Sequence, residues 1–186
     1  MQPNSTFQID WTLEQQKFAY FNEICYNIPI EPYTTPSLSL ICNSVKERLK
    51  VTDNIVFMID NRMRVNGSCI ASANKEYPSI ITVSSGAVNT LTDDELAYLI
   101  GHELGHIISK DWLVTIFFDM LCKKNVNKFR LHQCHVLNML SELEADRYGY
   151  LACGSMDAMI IRQSLFMGPR WTLTECIRWG ERRTSE

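Results

Sequence analysis

The 186-residue chain is 46% hydrophobic and 21% charged, the balance of a globular protein and not of a disordered or collagen-like one. A formal net charge of -3 supplies no general field for nucleic acid or anionic lipid, so polyanion binding is not expected. The length suits one ordinary core, and seven cysteines without a CxxC pair fit reduced, buried thiols better than a disulfide framework.

The first residues lack a basic stretch followed by an apolar run, which predicts a cytoplasmic protein without a secretory leader. A helix is predicted over Thr12 to Cys25, with Phe18, Phe21 and Cys25 at helical spacing, and prolines 29, 32 and 36 then impose an extended connector. A second helix is expected from Ser37 to Leu49. Three β-like segments follow, Asn54 to Ile59, Met63 to Ala71 and Ser79 to Val83, and imply a small sheet. The Asn66-Gly67 pair inside the second is either a tight hairpin turn or a bulge.

Thr92 followed by Glu95 forms a capping box, after which Leu96, Leu99, Ile100, Leu104, Ile107 and Ile108 recur at helical spacing. A long central helix starts there. A short apolar helix from about Trp112 to Leu121 comes next; its apolar run is too short to cross a bilayer. A basic loop leads to a helix from about Leu131 to Ala152, and Gly154-Ser155 separates that from a last helix over Met156 to Phe166.

His102-Glu103-Leu104-Gly105-His106 is an HExxH motif inside the central helix, where a four-residue step is slightly more than one turn and both imidazoles project from one face. Two such nitrogens suit one zinc ion, and the adjacent carboxylate, Glu103, can reach a water at another coordination position. The flanking Ile100, Leu104 and Ile107 make the setting apolar, and burying two unpaired imidazoles there would be costly. A metal ion removes that cost. Catalytic zinc usually takes a third protein ligand, here expected from another element. Glu142 is the best candidate, and Asp146, one turn further along the same face, can accept an N–H from a zinc-bound histidine and fix its aim. Gly101, Gly105, Ala145 and Gly149 are compatible with a close crossing of the two helices or with packing against the sheet.

Three blocks resemble the M48 family of gluzincin peptidases: Ser79 to Ile107, Ser141 to Gly149 and, more weakly, Asn66 to Ser72. The first resembles the family's strand, glycine turn and active-site helix, the second its ExxxAD helix, and the third its substrate-facing strand. The resemblance implies an α+β, zincin-like fold, with a small mixed sheet, a central HExxH helix and a second ligand-bearing helix. It would occupy 54–165, between an N-terminal helical segment (1–53) and a C-terminal tail (166–186), in a single metallopeptidase domain.

The function implied is that of a zinc endopeptidase acting on flexible polypeptides through a metal-activated water. One zinc per chain would be held by His102, His106 and Glu142, with Glu103 as general base and Asp146 in support. Asn66, Gly67, Cys69, Ile70 and Ala71 would line the substrate edge. Many members place a later histidine near the metal, whereas His135 is the last histidine here. Tyr148, Arg162 or Arg170 would then take any oxyanion-binding or positioning role. Two rivals are a repressor-cleaving peptidase that shares the HELGH helix and a zinc-containing scaffold without proteolysis. Glu103 discriminates against the second, since a purely structural site does not need it. His132, Cys134 and His135 are metal-ligand types, yet on a helix they point in several directions and lack a convergent fourth partner.

Overall fold

The computed structural model describes residues 17–72, 77–111 and 128–158. Helix α1 covers 17–26; then follow β1 (Ile28–Pro29), α2 (Pro36–Arg48), β2 (Ile55–Asp60), β3 (Gly67–Ile70), β4 (Ser79–Ser84), α3 (Ser85–Thr90), α4 (Asp93–Ser109) and α5 (Lys128–Cys153). Among the described residues the fold is α+β with a four-stranded mixed sheet in the order β1-β2-β4-β3. The helix predicted from Trp112 to Leu121 lies outside the described residues, as do 12–16 of the first helix and 159–166 of the last. Among the described residues no helix is long and apolar enough to cross a membrane.

Strand β4 is buried along its whole length, which accounts for its nearly continuous apolar run Ile80-Ile81-Thr82-Val83. It pairs in parallel with β2, Ile55 opposite Ser79 through Asp60 opposite Ser84, and antiparallel with β3, Gly67 opposite Val83 through Ile70 opposite Ile80. Among the described residues strand β3 is therefore an edge. It is shorter than the predicted Met63 to Ala71, because 61–66 form irregular backbone anchored by Asn66, whose N–H donates to Ser84 Oγ at 2.9 Å. Gly67 opens this strand and is neither in a hairpin turn nor in a bulge of the β3–β4 ladder.

The expected glycine turn after β4 is the short helix α3, capped by Ser84 Oγ, which accepts from Ala87 N–H at 3.1 Å. Gly86 is required there: a Cβ would lie 2.0 Å from the Met63 carbonyl oxygen. Helix α2 starts with Pro36 in its first turn and buries Leu38, Cys42 and Val45 toward the core. Arg48, at its end, donates to the Ala152 carbonyl at 2.6 Å, satisfying an acceptor that the last turn of α5 leaves open.

Helix α4 has the predicted capping box, with Thr92 N–H donating to Glu95 Oε2 at 2.7 Å and Glu95 N–H to Thr92 Oγ1 at 3.4 Å. Nearly all of it is buried, between the sheet on one side and α5 on the other. The crossing with α5 is made close by small residues. A Cβ on Gly101 would lie 2.3 Å from Ala152 Cβ, one on Gly105 2.8 Å from Ala145 Cα, and one on Gly149 2.9 Å from the Tyr98 carbonyl oxygen. This crossing carries the Glu142 and Asp146 turn of α5 over the His102 and His106 turn of α4.

Candidate metal centre

His102, Glu103 and His106 lie in α4, and Glu142 and Asp146 in α5. His102 Nε2 is 3.1 Å from His106 Nε2, and the two rings stand nearly perpendicular, at 86°. Glu142 brings Oε2 to 3.5 Å from His102 Nε2 and Oε1 to 3.9 Å from His106 Nε2. One donor atom from each of the three falls within 4.8 Å of the others, a grouping able to hold a metal ion. His102 is buried, His106 partly buried and Glu142 exposed, so the cluster opens on one side.

Each imidazole has its other nitrogen against a carboxylate. His102 Nδ1 is 2.9 Å from Asp146 Oδ1, which also accepts from the buried Tyr98 hydroxyl at 2.9 Å. His106 Nδ1 is 2.5 Å from Asp111 Oδ2. A carboxylate only accepts, so both Nδ1 atoms act as donors and, in neutral rings, both Nε2 atoms carry lone pairs. Two lone pairs 3.1 Å apart, with a third carboxylate above them, repel unless positive charge lies between them.

The electrostatics agree. Burial pushes the His106 imidazole down, but Asp111, Glu103 and Glu142 outweigh it and raise its pKa above the ordinary value. The His102 imidazole bonded to Glu142 leads in lowering that carboxylate's pKa, with His106 adding to it, against the opposing effect of burial. The carboxylates around His106 thus favour positive charge at this end of α4.

Glu103 is buried against the edge strand: a Cβ on Gly67 would lie 2.9 Å from Glu103 Oε1 and 3.0 Å from its Cγ. Burial first, and then the Glu103 carboxylate, push the Cys69 thiol far above its usual pKa. That thiol is protonated and poorly suited to nucleophilic attack. Of the remaining candidates, Asn66 through Ala71 run along the edge, and Tyr148 packs against Gly105 in the helix crossing. Arg162 and Arg170 lie outside the described residues. His132 and His135 are exposed on α5.

The sequence reading missed Asp111. Its five-residue separation from His106 matches no helical contact, and only the turn at Lys110 brings the two together.

In comparison with known proteins, the model of peptidase family M48 matches residues 56–128, a stretch that contains His102, Glu103, His106 and Asp111 but ends before Glu142. No curated protein and no solved structure matches the chain.

Proposed function

Since residues 56–128 assign the chain to the M48 metallopeptidases, we propose that it is a zinc-dependent endopeptidase that hydrolyses flexible polypeptides, with His102, His106 and Glu142 as the ligands and Glu103 as the general base. The observation that carries this reading is the facing pair of Nε2 atoms, each backed by a carboxylate on its far nitrogen and joined by Glu142. Nitrogen and oxygen donors in a tetrahedral zinc site lie roughly 3.3–3.5 Å from one another. The two Nε2 atoms, 3.1 Å apart, are close to that value, Glu142 approaches them with a different oxygen each, at 3.5 and 3.9 Å, and the imidazole and carboxylate donors are those of catalytic zinc.

Zinc held there would polarise a scissile carbonyl and lower the pKa of a water molecule. On this reading Glu103, next in the chain to His102 and packed against Gly67 of β3, takes a proton from the attacking water and delivers it to the leaving amine. Asp146 holds His102 in the tautomer that presents Nε2.

The strand edge supports an extended substrate. Ser84 N–H donates to the Asn66 carbonyl at 3.0 Å, which sets the phase of the antiparallel ladder: residues 66, 68 and 70 bond toward 84, 82 and 80. The backbone groups of Gly67, Cys69 and Ala71 are directed away from β4, where a polypeptide could add as a further strand beside Glu103.

Hydrolysis of an unstructured peptide by the intact chain should stop when a chelator strips the metal and return when zinc is added. In the same assay Cys69→Pro should lower cleavage with metal content unchanged, because proline there removes an outward donor and no bond to β4. Hydrolysis that is indifferent to chelation would contradict the zinc mechanism; a Cys69→Pro variant that folds, holds metal and cleaves like the parent would remove β3 from substrate binding.

A further inference from the structure

Helix α4 ends at Ser109, and the next residue, Lys110, adopts the left-handed conformation with φ 55° and ψ 32°. Lysine gains nothing from that conformation, which glycine or asparagine usually occupies at a helix end and which strains other residues. Had the helix continued, Asp111 would stand five residues beyond His106, well around the axis and about 7.5 Å further along it, at 1.5 Å per residue. The turn at Lys110 instead folds the chain back and sets Asp111 Oδ2 2.5 Å from His106 Nδ1. The Asp111 side chain is only 14% exposed, so the contact is sheltered from water.

We propose that Asp111 is the positioning residue of His106: it accepts the Nδ1 hydrogen, fixes the tautomer that presents Nε2 beside His102 and Glu142, and is delivered to that place by the left-handed Lys110. This rests on the metal site proposed above. The two imidazoles then have equivalent support from different sources. Asp146 reaches His102 across the helix crossing, where it is shared with Tyr98, whereas Asp111 reaches His106 from the end of the same helix. His106 is accordingly the ligand whose aim depends on a local turn.

The test measures zinc affinity by chelator competition in the full chain, together with the visible spectrum of the cobalt(II)-loaded protein. Asp111→Ala should weaken zinc binding about 10–100-fold, the usual effect of removing such a partner. Asp111→Asn, whose amide oxygen can still accept the hydrogen, should recover part of that loss. Lys110→Val keeps the carboxylate but disfavours the left-handed turn, so it should reproduce the loss and shift the cobalt bands, while Lys110→Gly should bind zinc like the parent. A parent that binds no zinc contradicts the metal site itself. A parent that binds zinc while folded Asp111→Ala or Lys110→Val matches it within about twofold, far below the effect of losing such a partner, overturns the role of Asp111 alone. Should Asp111→Ala not fold, Lys110→Val decides the matter by the same criterion.

Discussion

Glu103→Gln is expected to retain the fold and the bound metal while peptide hydrolysis falls by roughly 10²–10⁴-fold, the range of a lost general base. The amide has nearly the shape of the carboxylate and can occupy the same space against Gly67, where an added methyl would already meet Glu103 Oε1 at 2.9 Å. It cannot take up a proton at neutral pH. Metal content measured beside the rate separates loss of the base from loss of the site. Hydrolysis within about tenfold of the parent would deny Glu103 this role and would favour a metal-holding protein that has no need of a base.

The second large effect concerns the helix crossing. Gly101→Ala would place a Cβ 2.3 Å from Ala152 Cβ, with the Tyr148 carbonyl oxygen at 3.0 Å and Gly149 Cα at 3.2 Å. None of these atoms is the end of a flexible side chain, so α4 and α5 must separate or turn. Overpacking of this kind costs about 1–3 kcal/mol, a fall in Tm of roughly 2–12 °C for a chain of this size. Because Glu142 and Asp146 ride on α5 and both histidines on α4, metal affinity should fall as well. Ala152→Gly in the same chain removes the closest clash and should restore part of the affinity, although glycine in a helix itself costs about 1 kcal/mol. Thermal denaturation and chelator competition on the two single variants and the double variant give the coupling directly. A Gly101→Ala protein as stable and as tight for metal as the parent would mean that the crossing does not set the site.

Much of this arrangement was legible because local chemistry and tertiary packing agree. The capping box at Thr92 and Glu95 and the apolar period of α4 each have one structural outcome that fits their neighbours, whereas the small residues Gly101, Gly105, Ala145 and Gly149 left two, of which the structure takes the helix crossing. Asp146 could be matched to a metal-binding histidine from sequence because it lies one helical turn from Glu142, but that the partner is His102 follows only from where α4 and α5 cross.

Asp111 was not legible for the opposite reason. Its contact depends on a left-handed lysine, and nothing in a Ser-Lys-Asp stretch announces that conformation as a glycine would. The length of β3 was hidden by a competition of similar kind. The apolar alternation of 63–71 permits a longer strand, but the backbone of 62–64 is drawn onto α3, where Gly86 N–H donates to the Arg62 carbonyl at 2.9 Å and Ser85 Oγ to the same oxygen at 3.0 Å. The sheet also holds a bond that spacing could not reveal: Thr82 Oγ1 donates to Glu23 Oε2 at 2.7 Å, tying α1 to the central strand.

The most direct test of the account is the zinc content of the purified, zinc-equilibrated chain set against that of Glu142→Ala. The side chain of Glu142 is 54% exposed, so its removal should spare the fold while taking away the single anionic donor of the grouping. Elemental analysis should find about one tightly held zinc per parent chain and little in the variant after dialysis. A parent that takes up no zinc, or a variant that holds as much as the parent, would contradict the site on which the proposed peptidase depends.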